Sequence, residues 1–469
     1  MREFDVIVVG AGPAGIFTAL ELQKTSPNAR VLVVDAGSSI DRRTCPARKL
    51  GHCVGCEPCG IMQGWAGAGA FSDGKLSLSE EVGGNLPDYL PRQTVRELIH
   101  YCDEQYLAFG APTTVHGLGD PKVEEFRYEA SKYNIQLIPC PVRHMGTEYS
   151  FDVLRAMYHK LLESDGFTFQ EFTTCESILV ENGTVRGAVL KKKGGETETV
   201  LAKYVVAAPG RAGASWLTEL AHSVGISTLN NEVDIGVRVE VPNSVMDHLT
   251  KHLYEAKLVY YSDTFENKVR TFCMNPGGLV SEEHYDGSIA VVNGHSYADE
   301  SRHTENTNFA MLVSTKFTKP FDQPTQYGKY IAQLGNMLTG GGIMVQRLGD
   351  LLKGRRTDVS RLKKSTTIPT LTTATPGDLS FVLPHRHLTS IIEALKAFDN
   401  IAPGLYSKNT LLYGVEVKFY SSKVNVGNNF ETALSGLYAI GDGAGITRGL
   451  MQASVTGVVV ARDIADKMG

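Results

Sequence analysis

Residues 4–23 read FDVIVVGAGPAGIFTALELQ, and this stretch decides the fold. Residues 4–9 are a short apolar run of the kind found in strands covered on both faces. Gly10-x-Gly12-x-x-Gly15 follows at once, and residues 16–22 continue with helical character. Gly10 permits a tight turn, Gly12 lets the backbone approach a pyrophosphate, and Gly15 lets helix and strand pack closely. Pro13 and Ala14 open the helix, whose N-terminal N–H groups face the phosphates. Residues 30–35, RVLVVD, form a second strand that ends in Asp35, twenty residues past Gly15, with Ala36 next. A carboxylate there can accept both ribose hydroxyls of an adenosine. Strand, glycines, helix, strand and terminal acid, in that order, predict a dinucleotide-binding unit in an α/β fold.

The distal end of the chain selects the dinucleotide. Residues 437–440 (LYAI) read as a strand, followed by Gly441-Asp442-Gly443-Ala444-Gly445 and a helix over about 450–468 that contains Met451. This resembles the closing motif of the glutathione-reductase-type flavoproteins. The resemblance implies FAD, with Asp442 at the ribityl and pyrophosphate region and the helix N-terminus at the flavin pyrimidine. A carboxylate near a flavin hydroxyl and a positive helix end near N1/C2=O have clear electrostatic roles. Residues 201–210 (LAKYVVAAPG) resemble the strand-to-glycine turn, here Ala208 and Gly210, where such folds return from an inserted β-unit. A single complete dinucleotide fingerprint is read, so a dedicated NAD(P) domain is not expected.

Residues 67–76, GAGAFSDGKL, resemble the signature block of a family of predicted FAD-dependent dehydrogenases. Blocks at 143–147, 233–240, 270–278, 292–296, 306–309, 414–422 and 441–445 agree with it. Together they cover essentially the whole chain and place it nearest a short, cysteine-rich branch. The chain departs from longer relatives at Lys418, Phe419 and Tyr420, at Asp442 where glutamate is common, and at Thr447-Arg448-Gly449. The family therefore implies fold and cofactor, with Gly69 and Lys75 in the cofactor block, rather than a substrate.

A length of 469 residues calls for two substantial units. The expected divisions are 1–80 for the first FAD part, 81–150 for a helical cap, 151–215 for the FAD continuation, 216–412 for an inserted α+β substrate domain, and 413–469 for the FAD closing part. Helices are expected near 91–109, 151–163, 300–315, 325–335 and 385–398, and strands near 233–242, 256–263, 268–274 and 289–294. The composition is 42% hydrophobic and 21% charged with a net charge of −5, which is ordinary for a globular chain and gives no reason for a nucleic-acid partner. The basic run at 351–364 reads as solvated surface. No stretch approaches the length of a membrane span, and Glu3 and Asp5 argue against a secretory leader. A cytoplasmic protein is expected, and a homo-oligomer is compatible with the sequence.

Flavin chemistry needs groups that manage protons and developing negative charge. Lys75, after a glycine turn, offers an ammonium to the flavin or to a substrate carboxylate; its ordinary alternative is a local surface contact. Arg143-His144 offers an anion site or proton relay, or else a structural pair. Arg238, flanked by strand valines, could anchor a carboxylate or pair with Glu240. Cys273 is a candidate flavin-facing thiol or a plain buried cysteine, and His295, beside Asn293 and Ser296, a candidate general acid. Glu416 and Lys418 share a strand face and suit a buried pair.

Residues 45–60, CPARKLGHCVGCEPCG, place Cys45, Cys53, Cys56 and Cys59 in one glycine-rich loop. Thiolate-only ligands suit a [4Fe–4S] cluster or tetrahedral zinc, and a thiol–disulfide function or no cofactor are the other readings. A cluster would give the flavin an electron port, with ferredoxin or another donor as partner. The overall expectation is an FAD-dependent oxidoreductase acting on C–C or C–N bonds of a small or medium organic substrate. The contrasting expectation is a non-catalytic, FAD-holding electron-transfer or partner-binding subunit.

Overall fold

Val6 to Val9 and the strand Val31–Val34 are apolar throughout and buried on both faces, as parallel strands enclosed by helices must be. A computed structural model describes residues 2–46, 54–285, 289–297 and 299–469. The chain divides into two units. The first comprises Met1–Thr114, Arg143–Asn231 and Ser421–Gly469; the second comprises Val115–Val142 and Glu232–Tyr420.

In the first unit Arg2–Val9 lies between Val31–Val34 and Thr197–Ala207, all parallel. Phe167–Gln170 extends the sheet beyond Val31–Val34, and Leu437–Ala439 pairs in parallel with the C-terminal part of Thr197–Ala207. The N-terminal part of that long strand instead carries an antiparallel meander with Thr184–Lys192 and Thr173–Glu181. The helices Pro13–Thr25 and Leu450–Met468 touch at Gly457, where any side chain would collide with the Ala14 carbonyl.

The second unit is built on an eight-stranded sheet. Its order is Thr375–Pro376, Met344–Arg347, Leu411–Lys418, Val233–Pro242, Asn306–Thr315, Lys268–Asn275, Lys257–Tyr261 and Gln136–Ile138. The hairpin Leu279–Tyr285/Ile289–His295 is separate from it. The central strand Val233–Pro242 alternates strictly. Val233, Ile235, Val237, Val239 and Val241 join the main apolar core, while Asp234, Arg238 and Glu240 are fully buried on the other face.

The helices Arg92–Ala108, Gly146–Leu162, Pro324–Thr339 and His385–Phe398 and the four expected strands lie where their periodicity predicts. The helix expected over 300–315 is a strand, Asn306–Thr315. Its first eight residues, Asn306 to Val313, are all buried, so both faces are covered and no amphipathic period distinguishes it from a buried helix. The unit boundaries also fall elsewhere than at 80, 150, 215 and 412. Val95, Leu98, Ile99 and Tyr106 of Arg92–Ala108 and Leu217 and Leu220 of Ala214–Ser223 belong to the first unit's core. Leu411–Lys418 pairs with Val233–Pro242 and so belongs to the second.

His387, in the first turn of His385–Phe398, is 3% exposed. Its Nε2 lies 2.9 Å from the Thr315 hydroxyl, and its Nδ1 is buried without a hydrogen-bond partner among the described residues. Burial, with Arg386 adding repulsion, pushes its pKa down to about 4. The folded state therefore keeps the ring neutral where the unfolded chain protonates it, near about 6.5. Stability should fall by ~3 kcal/mol as pH drops from about 6.5 to about 4, with no further contribution below that. Urea unfolding across this range should show that segment in the wild type and lack it in His387→Gln.

Candidate functional site

The first unit brings four glycine-bearing segments together. Gly10 has φ +105°, and a Cβ there would run into the Ala208 carbonyl; one on Gly15 would run into the carbonyl of Gly10. Gly12, by contrast, faces no atom within 4 Å among the described residues, and neither does Gly210. Gly12 is the N-cap of Pro13–Thr25, so no side chain caps the first-turn N–H groups, and that turn carries no acid. The helix Leu450–Met468 begins in the same way, with Gly449 as N-cap and no acid in its first turn. Two partial positive ends and two open glycine edges make a cradle for a phosphate-bearing cofactor.

The remaining cofactor candidates sit around this cradle. A Cβ on Gly441 would lie 3.2 Å from the Ala14 side chain, and one on Gly443 would lie 2.6 Å from the Gly210 carbonyl. Asp442 accepts a hydrogen bond from the Thr447 hydroxyl at 2.7 Å and lies 3.7 Å from Arg211 Nε. Gly445 accepts from the Asn231 amide at 3.1 Å. Gly69 packs beneath Leu450 and Pro13, its carbonyl taking a hydrogen bond from Ser150. Ala208 and Met451 are buried and Ala36 is half-buried. Lys75 pairs with Asp73 at 3.0 Å with 9% of its side chain exposed. His144 ends the short strand Val142–His144 in the same unit. Its neighbour Arg143 is not available to an anion: both ends of its guanidinium bind Asp103, at 2.7 and 2.6 Å, and it also donates to Pro112 O.

Asp35 has a role the sequence does not announce. Oδ2 accepts the Ala11 N–H at 2.9 Å, while Oδ1 accepts those of Gly37 at 2.9 Å and Gly64 at 2.6 Å. The acid expected at the ribose thus also ties three loops together. Sequence reading also missed Arg43, which donates to the carbonyls of Gly60, Ile61, Trp65 and Gly67. It missed Gln452 as well, whose amide binds the carbonyls of Ser77 and Ser79. A loop arginine with no periodic context gives no signal; the glycines at 60, 64 and 67 hinted only that backbone is crowded there.

In the second unit Arg238 is fully buried. It binds Glu416 through two N–H groups at 2.9 and 3.0 Å, Asn308 at 2.8 Å and the Cys273 carbonyl at 3.2 Å. Burial opposes the charge, but Glu416 outweighs it and raises the arginine's pKa. Its carboxylate is therefore an internal one, with Lys418 bound to the same Glu416 at 2.8 Å. Arg238 does not pair with Glu240, which instead accepts from Tyr413 and Thr370. Cys273 is half-buried at a break in the register of Lys268–Asn275, with φ +44°. His295 ends the hairpin strand opposite Leu279. On the same sheet, Asp234 binds Arg270, Ser314 and Tyr420. Burial works against its charge, yet these partners hold its pKa down to about 2.

Of the cysteine loop, Cys45 and Cys59 are half-buried free thiols and Cys56 is exposed, whereas Cys53 lies outside the described residues. Among the described residues no group of three or more His, Cys, Asp or Glu could hold a metal ion. Nor is any helix among them long and apolar enough to cross a membrane.

The cradle and the sheet define a mixed α/β FAD-binding protein, an FAD-dependent oxidoreductase. Residues 92–233 match the family described as FAD binding domain, and residues 232–419 match the one described as FAD-dependent protein, C-terminal domain-like. The second match runs along the main segment of the second unit, Glu232–Tyr420. The chain is 27% identical over 488 residues to an uncharacterized protein of Clostridium beijerinckii, covering 98% of this chain and 80% of that one. Among solved structures it is similar to a formate oxidase of Aspergillus oryzae, with a TM-score of 0.46, 12% identity and coverage of 100% of this chain and 98% of that chain. It is also similar to an E. coli quinol fumarate reductase, with a TM-score of 0.41, 16% identity and coverage of 100% and 71%. The two family matches support an FAD-binding fold and do not carry the narrower glutathione-reductase-type label.

Two substitutions separate cofactor binding from folding. Gly12→Ala has room and a permitted backbone, so the FAD-free protein should unfold within about 0.5 kcal/mol of wild type while FAD binding weakens. Gly10→Ala should lower both, as read by thermal unfolding and flavin fluorescence. In the second unit, Arg238→Met leaves Glu416 buried with one cation fewer and should cost about 3–5 kcal/mol of stability in urea unfolding.

Proposed function

We propose that the protein is a dehydrogenase or reductase that exchanges hydride between flavin N5 and an organic substrate at a C–C or C–N bond. The observation that carries this is the cradle, with Gly12 and Gly210 open between two helix N-termini that no side chain caps. FAD bound there supplies the two-electron centre. The N–H groups that open Pro13–Thr25 bind its pyrophosphate, and Asp35 has acceptor capacity left on Oδ2 for a ribose hydroxyl. Asp442, oriented by Thr447, would accept from the ribityl chain. Lys75 stabilises negative charge as it develops during transfer. In the first unit His144 is the proton carrier of this reading; within the second unit His295 and Cys273 are the corresponding candidate acid and thiol. Arg238 acts on the sheet, fixing Glu416 and Lys418, rather than on substrate.

The glutathione-reductase-type arrangement belongs to the same reading. It is supported by the antiparallel meander inserted ahead of the last parallel strand. The described cysteines are free thiols, in keeping with a reducing cytoplasm. Electron supply through residues 45–60 completes the proposal: four cysteine sulfurs around a [4Fe–4S] cluster fed by ferredoxin or another one-electron donor, with zinc as the alternative occupant.

Anaerobic purification followed by a substrate screen tests the reaction. The expected result is stoichiometric FAD whose visible absorption bleaches with a carbon-centred reductant and recovers with an acceptor. A flavin that dithionite reduces and no organic substrate does would sink the hydride chemistry and favour an FAD-holding subunit. Iron and acid-labile sulfide in the same sample would support the cluster; zinc, or neither, removes it.

A further inference from the structure

The Asp35 and Arg43 side chains converge on one loop, residues 59–67, and the loop lies against the cradle. Ala66 N–H donates to the Ala11 carbonyl at 2.7 Å, and a Cβ on Gly67 would sit 3.4 Å from the Gly12 α-carbon. The loop therefore forms part of the wall beside the glycine edge that faces the pyrophosphate.

Arg43 holds this loop from behind. It is 5% exposed, and its guanidinium lies 4.9 Å from the centre of the Phe71 ring. Nε and Nη2 donate to Gly60 O at 3.2 and 3.0 Å, Nη2 to Ile61 O at 2.6 Å, and Nη1 to Trp65 O at 2.5 Å and Gly67 O at 2.7 Å. The rigid fork of five donors fits this set of diverging carbonyls, which a single ammonium cannot span. Burial lowers the arginine's pKa to about 10, with Asp35 and Cys59 acting in the opposite sense, so it stays charged at neutral pH. Each carbonyl bound to Arg43 has its negative dipole end directed at the guanidinium.

We infer that Arg43 is a positioning residue for FAD: by gathering the carbonyls of Gly60, Ile61, Trp65 and Gly67 it shapes the loop that presses on Gly12 and keeps acceptor oxygens off the pyrophosphate. The inference rests on the reading of the cradle as the FAD site. It adds a residue that does not touch the cofactor and that ties the cradle directly to the backbone following Cys59.

The test is Arg43→Ala in the full chain, with FAD affinity followed by flavin fluorescence and the flavin environment by visible circular dichroism. FAD should bind about 10- to 100-fold more weakly, as expected when several buried hydrogen bonds are lost. Guanidinium ion, added far below denaturing concentration, should restore part of that affinity by refilling the vacated site, whereas sodium at equal ionic strength should not. Arg43→Lys should fall between the two proteins. Wild-type affinity and spectrum in Arg43→Ala would overturn the inference. So would a loss that neither guanidinium nor lysine reduces, since that assigns the side chain to packing alone. A wild-type chain that takes up no FAD would overturn the cofactor reading itself, and so is distinguishable from failure of the Arg43 role.

Discussion

The first unit depends on one carboxylate that collects backbone N–H groups. Asp35 binds the amides of Ala11, Gly37 and Gly64, which belong to the glycine turn, the end of the second strand and the loop after the cysteines. The donors are backbone groups, so Asp35 alone gives up side-chain rotamers in making the three bonds, while ordering the loops still costs backbone entropy. Arg43 does the complementary work with carbonyls of the same loop. One anion and one cation, each bound mainly to peptide groups, thus set the wall beside the FAD cradle. This differs from a direct ion pair, in which the charges would satisfy each other and leave the loops untied.

The second unit solves a different problem. Its central strand carries Asp234, Arg238 and Glu240 on one face, all removed from solvent. Burying a charge is tolerable only when partners replace water. Arg270 and Tyr420 serve Asp234, Glu416 serves Arg238, and Tyr413 with Thr370 serves Glu240. Glu416 and Tyr413 come from the adjacent strand Leu411–Lys418 and Arg270 from the strand beyond Asn306–Thr315, so a register shift would leave several charges without partners at once. The charged stripe therefore specifies strand pairing as firmly as the valines behind it specify the core.

The dinucleotide half was legible because each of its residues answers a local steric need. Gly10 and Gly15 are forced by backbone proximity, while Gly12 leaves the edge of the turn open. The strand Asn306–Thr315 was not legible: covered on both faces, it has lost the polar alternation that reveals a strand. Arg43 and Gln452 were invisible for another reason, since they bind carbonyls of distant segments and any residue type can supply a carbonyl. Arg238 was conspicuous as a charge among valines, yet sequence pointed to Glu240 on its own strand, while the partner is Glu416 on the adjacent one. Periodicity ranks which side chains share a face; it is silent on which of them meet.

The discontinuous build of the first unit has a consequence for how the protein comes into being. Leu437 pairs with Val205, more than two hundred positions earlier, and the segments between them include the whole of Glu232–Tyr420. On an emerging polypeptide, the glycine turn and its first helix are made early, but the wall carrying Asp442 and the helix Leu450–Met468 arrives only after the whole of Glu232–Tyr420 has been made. Capture of the flavin must wait for that segment, and while residues 208–436 are being made the nascent chain holds an open sheet edge at Val205–Ala207. Such long-range closure slows folding and lengthens exposure to misassembly. The second unit, nearly continuous in sequence, can be complete before the first is closed.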